Sequence, residues 1–375
     1  MKRRLPHIMD NTPSFRSIEP FFFSGLLDDP VLQVRMRSTG RSLLFDCGRI
    51  HHLAKRVLKS IAAIFVSHAH MDHFMGIDTF IRSVHVSPRE VDIFGPPGLS
   101  DKLSAKLAGY DWNLCEPYWC SLRVHEVFAD RLNTHFFSGP EGFTRSFKGS
   151  KERDGRVIFR NRLLSVEAME CDHRIPSLVF RISESPSFRV DAKKLEKGGL
   201  LAGPWLKHLQ KCFHCGDLEN EQLLVTVRGD NGDSRETMIN GSVLYESIRM
   251  EIEPASIGYV TDIGFSDGNC DKVCSLLSGV TILVCECSFL EADRDKARIS
   301  CHLCTSDVNI LLDRLRPAFF LPMHLSKSYI HRWDRLYDEF EMPPGVTLLR
   351  LPMYLTPRPL ISCEAVRLNL RPGCW

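Results

Sequence analysis

The sequence has no long hydrophobic run and almost no net charge. None of its 375 residues lies in an apolar stretch of about 18 residues, the length typical of a membrane-spanning helix. The basic N-terminus lacks the apolar segment of a secretory signal. The formal net charge of +2 creates no overall field that attracts nucleic acid, so such binding requires a local patch. We therefore expect a cytoplasmic chain with no membrane partner.

The sequence is rich in cysteine but lacks the context of a disulfide framework. It has 14 cysteines, several of them inside apolar segments such as ILVCECSF. Without a secretory signal, free buried thiols are the expected state. Two pairs have the spacing of metal ligands and leave a structural zinc site open as an alternative: Cys212/Cys215 and Cys301/Cys304.

One short stretch, HAHMDH at residues 68–73, concentrates the residue types that bind metals. It directly follows IAAIFVS, a short apolar segment typical of a buried strand. Sites gather in the loops at the carboxyl ends of strands in α/β sheets, and imidazole and carboxylate both bind zinc. A single histidine here would usually be a solvated loop residue, but four such residues in this order predict a metal site. The four are His68, His70, Asp72 and His73.

Three more candidate ligands follow apolar segments later in the chain. They are His173 in MECDHRIPS, Asp262 in GYVTDIG and His324 in LPMHLS. Each alone also fits an ordinary role, in a loop, at a helix cap or at the edge of the core. Together, behind the HAHMDH stretch, they predict a metal site assembled from several strand ends.

The pattern of apolar segments predicts an α/β fold. VLQVRMRSTGRSLLFD is typical of a hairpin, residues 61–66 of a buried strand, and Phe74 to Ser83 of a helix. The predicted domain organisation has four parts: an N-terminal extension (1–30), a main domain (31–345), an insertion of a few short elements within it (185–255), and a C-terminal edge segment (346–375).

The HAHMDH stretch resembles the signature of the metallo-β-lactamase superfamily. This resemblance implies a four-layer αββα sandwich that holds two metal ions, usually zinc. It assigns one ion to His68, His70 and His173. The other ion goes to Asp72, His73 and His324, and Asp262 bridges both. A hydroxide shared by the ions would be the nucleophile. Iron is a weaker alternative, because diiron relatives prefer a carboxylate where His70 stands.

Further segments resemble the ribonuclease Z branch of this superfamily. They cover roughly residues 30 to 330 and include IFGPPGL, AGPWLK, GYVTDIG, CECSF, CHLCTS and MHLSKSY. The resemblance implies a phosphodiesterase that acts at the 3′ end of RNA, such as tRNA trailers, and it also implies a homodimer. His302 would be the general acid, held in place by Glu286. The alternative is that Glu286 and His302 form only a structural pair.

The chain departs from that branch in the parts that handle tRNA. The branch has a Pro-x-Lys-x-Arg-Asn loop, whereas FFFSGLLDDPVLQVRMR is acidic at the same place. Cys285 replaces the histidine of a His-Glu-Ala-Thr motif, and the cation of the final motif moves to Lys327. These departures leave open a dinuclear zinc hydrolase of a small phosphodiester, thioester or lactone. A non-catalytic scaffold is a remote alternative. The expected substrate is thus an RNA 3′ end or a small phosphoester.

Overall fold

The computed structural model describes residues 13–153, 155–228, 233–250 and 253–357, and it divides the chain into two compact units. The larger unit joins the chain up to Glu184 with the chain from Ala255 onward, and the smaller unit is Ser185–Pro254. Among the described residues, no helix is both long enough and apolar enough to cross a bilayer.

An eight-stranded sheet forms the first half of the larger unit. Its strands lie side by side in chain order: β1 (Ile18–Phe22), β2 (Leu32–Met36), β3 (Ser42–Phe45), β4 (Ile61–Phe65), β5 (Glu90–Gly95), β6 (Ser121–Val127), β7 (Arg131–Ser138) and β8 (Thr144–Glu152). Strands β3 to β6 run parallel and the outer pairs antiparallel. The helices in this half are α1 (Lys55–Ser60), α2 (Met71–Phe74), α3 (Ile77–Val84) and α4 (Leu99–Leu107).

A seven-stranded sheet forms the second half. The strands that follow β8 in the chain are β9 (Val157–Arg160), β10 (Leu164–Asp172), β11 (Pro176–Glu184), β12 (Gln222–Arg228), β13 (Ser234–Asn240), β14 (Ser256–Val260), β15 (Ile282–Glu286), β16 (Phe319–Met323) and β17 (Thr347–Leu348). Of these, β12 and β13 belong to the smaller unit and the other seven form the second sheet. The sheet order is β17-β16-β15-β14-β11-β10-β9, with β14 to β17 parallel. The later helices, of which the first three belong to the smaller unit, are α5 (Ala192–Lys197), α6 (Pro204–Cys215), α7 (Gly241–Ile248), α8 (Asp267–Leu277), α9 (Arg294–Ser300), α10 (Thr305–Leu315) and α11 (Arg335–Asp338).

Apolar side chains fill the space between the two sheets, and aromatic rings meet within it. The rings of Phe45 and Phe65, from the first sheet, lie 5.6 Å and 5.9 Å from Phe180 of the second. Their buried cluster extends to α8 and α10. A second cluster joins the opposite face of the first sheet to α3 and α4. Since alternate residues of a strand point to opposite faces, each sheet carries one inner and one outer layer of apolar side chains. The predicted αββα sandwich is confirmed.

Local predictions are confirmed for the first hairpin and the strand before the HAHMDH stretch, which are β2–β3 and β4. The predicted helix from Phe74 to Ser83 is wrong at its start, because the chain is already helical at Met71, breaks after Phe74 and resumes at Ile77. The break is a point of close approach. A Cβ at Gly76 would lie 2.2 Å from the carbonyl oxygen of Gly48, so only glycine fits.

The predicted insertion, residues 185–255, contains more regular structure than its sequence pattern predicts. Within the smaller unit, α6 runs for 12 residues and β12 pairs with β13 as a hairpin. In the larger unit, β7 and β8 are also absent from the sequence prediction. Almost every residue of β8 is exposed, so its sequence lacks the apolar alternation that marks a half-buried strand.

The terminal parts of the chain join the sheets at their edges. Strand β1, which lies within the predicted extension of residues 1–30, pairs with β2. Strand β17 pairs with β16 at the edge of the second sheet. The rest of the predicted C-terminal segment, from residue 358, lies outside the described residues.

Candidate metal centre

Polar side chains from both sheets meet where the strands end. His68 follows β4 of the first sheet. In the second sheet, Asp262 follows β14, Glu286 ends β15 and His324 follows β16, while His173 occupies the turn between β10 and β11. Parallel strands end at the same edge of a sheet, which brings these separate segments together.

A first cluster contains three imidazoles and one carboxylate. His68, His70, His173 and Asp262 each offer one ligand atom, and these atoms all lie within 4.8 Å of one another. Asp262 Oδ2 is 3.6 Å from His68 Nε2 and 3.9 Å from His173 Nε2. The Nδ1 of His173 lies 2.7 Å from the carbonyl oxygen of Cys301, to which it can only donate, so Nε2 is the nitrogen free to bind a metal.

A second cluster shares Asp262 with the first. It consists of Asp72, His73, Asp262 and His324, again with ligand atoms within 4.8 Å. His73 Nε2 is 3.2 Å from Asp262 Oδ2, and His324 Nε2 is 3.1 Å from Asp72 Oδ2. His324 Nδ1 lies 3.1 Å from the other oxygen of Asp262. The structure thus brings all seven predicted ligands together, with Asp262 between the two groups.

The donor set fits a pair of metal ions. His68 Nε2 is fully buried and has no hydrogen-bond partner among the described residues, although it points at a carboxylate. A buried polar atom without a partner is costly, and a bound cation would remove that cost. Imidazoles together with carboxylates are the ligand types that zinc accepts.

Asp46 supports the candidate metal centre through hydrogen bonds. It is not among the residues that the sequence predicts for the site. Its carboxylate accepts a hydrogen bond from His73 Nδ1 at 2.9 Å and others from Ser67 Oγ at 2.9 Å and Tyr259 at 3.2 Å. Asp46 has a φ of 54°, a left-handed conformation that is uncommon outside glycine. Ser67 Oγ also lies 3.1 Å from His68 Nδ1, so one carboxylate orients histidines of both clusters.

His302 and Glu286 lie beside the second cluster. His302 Nδ1 is 3.1 Å from Glu286 Oε2, and Glu286 is completely buried. The backbone N–H of Ile263 donates to the other Glu286 oxygen at 3.0 Å, and Ser288 Oγ donates to Oε2 at 2.8 Å. Glu286 is therefore held on both oxygens, and it fixes the orientation of the His302 ring.

Burial and charge divide the histidines into two kinds. Burial lowers the pKa of His68 to about 2, and burial also lowers the pKa of His70, so both are neutral imidazoles. Burial opposes charge on His324 as well, but the Asp262 carboxylate outweighs it and raises the pKa of His324 to about 10. At His73 the Asp262 carboxylate likewise outweighs the effect of burial, and the pKa of His73 rises well above its ordinary value. Asp262 thus attracts positive charge, which is the property that a metal ligand needs.

A pocket of about 350 Å³ opens beside the second cluster. Asp72, His302 and His324 line it, and the lining residues from outside the predicted site include Asp29 and Lys327. Lys327 Nζ lies 3.2 Å from Asp29 Oδ1. The pocket therefore places a carboxylate and an ammonium group beside the candidate metal centre.

The two cysteine pairs do not form one site among the described residues. The cysteines there are free, and no metal-type cluster combines Cys212/Cys215 with Cys301/Cys304. Cys304 instead caps the N-terminus of α10, where its thiol contacts Asp307. In the CHLC segment, His302 is the residue that reaches the candidate metal centre.

Sequence comparisons relate the chain to known proteins. The profile of the β-lactamase superfamily domain matches residues 29–222. A ribonuclease Z from Deinococcus radiodurans is 30% identical over 292 residues, which are 76% of this chain and 83% of the relative. Zinc phosphodiesterase ELAC protein 1 from Mus musculus is 29% identical over 192 residues, 46% of this chain and 52% of that protein. The crystal structure of human tRNase Z, short form, covers 82% of this chain and 93% of its own at 16% identity, with a TM-score of 0.46.

The profile match spans more than half of the chain, and the Deinococcus radiodurans relative aligns over most of both sequences. The chain belongs to the β-lactamase superfamily and, within it, is a ribonuclease Z-like metal-dependent hydrolase.

Proposed function

We propose that this chain is a dizinc phosphodiesterase that cleaves RNA at the 3′ end, with tRNA precursors as its substrate. The observation that carries the proposal is the pair of four-residue clusters that share Asp262. Relatives named ribonuclease Z support RNA as the substrate, and the name zinc phosphodiesterase supports zinc as the metal.

The seven clustered side chains would hold the two ions as the resemblance assigns them. When bound, a pair of zinc ions lowers the pKa of a coordinated water towards neutrality and neutralises charge on a phosphate. The protein's own contribution is to orient the ligands. Asp46 holds His73, and the carbonyl of Cys301 holds His173, each through Nδ1. Both rings therefore present Nε2 to the centre.

His302 would supply the proton that the leaving group needs. Breaking a phosphodiester releases an alkoxide, which a nearby acid must protonate. His302 lines the pocket, and Glu286 holds its Nδ1, so Nε2 points away from Glu286. Glu286 also raises the pKa of His302 against the opposing effect of burial, which favours the protonated ring.

A second candidate function is hydrolysis of a small phosphodiester. The loop after β1 is acidic, and its Asp29 carboxylate lines the same pocket and neutralises Lys327. An acidic residue at this point disfavours the approach of a polyanion such as RNA. A compact diester that contacts only the metal centre would be less affected.

Turnover of two substrates by the zinc-loaded protein tests both functions. One substrate is a precursor tRNA with a 3′ trailer, and the other is bis-p-nitrophenyl phosphate. The matched control is Asp72→Ala, which removes one candidate ligand from a partly exposed position. Cleavage of the precursor after the discriminator base, absent from the control, would support tRNA 3′ processing.

Cleavage of only the small diester would support the second function and contradict the first. If the protein binds zinc and cleaves neither substrate, both functions are wrong, and thioesters and lactones become the next substrates to assay. The homodimer and the cytoplasmic location remain predictions, which the mass of the native particle and cell fractionation would test.

A further inference from the structure

The smaller unit contains a metal-type cluster of its own. His208, Cys212 and Glu221 each offer one ligand atom, and these atoms all lie within 4.8 Å of one another. His208 Nε2 and Glu221 Oε2 are 4.0 Å apart. None of the three residues belongs to the candidate metal centre of the larger unit.

Regular helix geometry brings the first two of these side chains together. His208 and Cys212 are four residues apart on α6, so they lie on the same face of the helix, one turn apart. Gly216, with a φ of 79°, ends the helix in the left-handed conformation and turns the chain back.

Hydrogen bonds fix the backbone around Glu221, the third residue of the cluster. The backbone N–H of Gly241 donates to the carbonyl of Glu221 at 2.9 Å, and the side chain of Asn240 donates to the carbonyl of Glu219 at 2.8 Å. Two of the three ligands therefore come from a regular helix, and the third comes from a segment tied to the β13–α7 junction.

The chemistry of the three groups suits zinc. A thiolate, an imidazole and a carboxylate are all zinc ligands. The cluster supplies three of the four ligands of a tetrahedral ion, so a water molecule would complete the coordination. In a tetrahedral zinc site neighbouring ligand atoms lie roughly 3.3–3.8 Å apart, given the usual bond lengths. The present distances need only a small contraction. The side chains of His208 and Glu221 are 53% and 44% exposed, so they can move by that amount without disturbing the core.

The smaller unit is of a size at which a bound metal ion would add useful stability. The apolar core between Ser185 and Pro254 is small, and small cores supply little stability, so many compact units add a structural metal or disulfides. The core residues are Leu200, Trp205, Leu209, Leu223, Val225, Leu244, Tyr245 and Ile248. A half-exposed histidine–glutamate pair stabilises little by itself. An ion that joined the end of α6 to the start of β12 would close the loop between them.

We propose that His208, Cys212 and Glu221 bind a structural zinc ion in the smaller unit. The ion links α6 to β12 and takes no part in the reaction of the larger unit.

The zinc content of the full chain tests the site directly. His208→Ala and Glu221→Gln change half-exposed side chains, so both variants should fold and each should bind one equivalent of zinc less than the wild type. His214→Ala is the matched control, because it removes an exposed histidine of the same helix that is not part of the cluster. It should keep the wild-type zinc content. Amide exchange between residues 205 and 223 should quicken in the two site variants and not in the control.

Cobalt substitution tests the thiolate ligand. The cobalt-loaded protein should show a thiolate-to-metal charge-transfer band that Cys212→Ser loses and Cys215→Ser keeps. If Cys212→Ser does not fold, loss of the band in His208→Ala answers the same question. Equal zinc content in wild type, His208→Ala and Glu221→Gln would overturn the proposal. So would the absence of the band, or its loss in Cys215→Ser alone. None of these results depends on turnover, so they are independent of the proposed function.

Discussion

Lys327 Nζ lies 3.2 Å from Asp29 Oδ1, and both residues line the pocket beside the candidate metal centre. Asp29 is 7% exposed and Lys327 is 64% exposed, so the carboxylate is fixed while the ammonium group can leave it. Lys327 belongs to the segment that resembles the final motif of the ribonuclease Z branch, and Asp29 belongs to the loop that is basic in that branch. The chain thus differs from the ribonuclease Z branch at both residues of this pair, and the two differences are in contact.

Asp29→Asn should improve the use of a polyanionic substrate. The change removes a negative charge from the pocket and frees Lys327 for a phosphate. Because Lys327 is exposed, its pairing with Asp29 is worth up to about 1 kcal/mol, and the KM for precursor tRNA should fall by about threefold to fivefold. Steady-state kinetics measures the effect, with Asp130→Asn as the control, because it removes a carboxylate from an exposed ion pair with Arg131. A higher KM would show that Asp29 contacts the substrate favourably.

His302→Ala should separate catalysis from metal binding. Loss of a general acid lowers kcat by about 10²- to 10⁴-fold, while the seven clustered ligands are untouched. His68→Ala should instead lose zinc and activity together. Metal content and kcat, determined on the same samples, distinguish the two, and His331→Ala controls for loss of an exposed histidine. If His302→Ala lost zinc and kept its full rate per bound ion, its role as an acid would be wrong.

Asp46→Asn should weaken metal binding, although Asp46 is not itself in either cluster. The amide cannot replace the charged acceptor that orients His73. Loss of such a supporting carboxylate typically lowers metal affinity by about 10- to 100-fold. Competition with a chelator measures the affinity, and excess zinc should restore much of the activity. Asp78→Asn, which breaks an ion pair with Lys106, should leave the affinity unchanged. Unaltered zinc affinity in Asp46→Asn would restrict Asp46 to a role in folding.

Gly25→Ala should destabilise the larger unit. An added Cβ would lie 2.6 Å from both the carbonyl oxygen of Pro352 and the Cα of Tyr354, and these backbone atoms cannot rotate away. Overpacking of this kind costs about 1–3 kcal/mol in the free energy of unfolding. Denaturant unfolding measures the cost. Gly268→Ala is the matched control, since its Cβ meets nothing within 4 Å. Equal stability of the two variants would contradict the close packing of the loop at Gly25.

Asp28 should make stability depend on pH in the acid range. Burial raises the pKa of Asp28, but hydrogen bonds from Thr356, Gly25 and Leu355 outweigh it and bring the pKa below its ordinary 3.8. A lowered folded-state pKa stabilises the protein above pH 3.8, and that contribution is lost as the pH falls through the folded-state value. Asp28→Asn should therefore cost about 1–3 kcal/mol at pH 7 and progressively less below pH 4.

Urea unfolding of wild type and Asp28→Asn at pH 7 and at several values below pH 4 tests this dependence. Asp313→Asn, which changes an exposed pair on the surface, should leave the pH profile unaltered. A difference between wild type and Asp28→Asn that grew towards acid would reverse the sign and contradict the proposed hydrogen bonding.

The predicted ligands come from local patterns in the sequence. An apolar strand that ends in histidine or aspartate, repeated at His68, Asp262 and His324, indicates both the sheet and the site, because strand ends are where parallel strands can present polar side chains together. The helix break after Phe74 is different. It coincides with the close approach of Gly76 to the backbone of Gly48, which no local pattern reveals.

The pattern of apolar segments by itself indicated an α/β fold and the strand ends that carry histidine or aspartate, since burial and strand periodicity are encoded residue by residue. The αββα class and the division of the seven residues between two ions came from the resemblance to the metallo-β-lactamase superfamily. Only the tertiary structure decided which distant side chains meet, both at the candidate metal centre and within the smaller unit. Asp46 reaches His73 and Tyr259, Asp29 reaches Lys327, and Glu221 approaches Cys212. In each case the partners lie in separate segments, and sheet packing or a helix turn brings them within a few ångströms. Hydrogen bonds and charge pairs act over such short distances that their partners are set by how the chain folds back on itself.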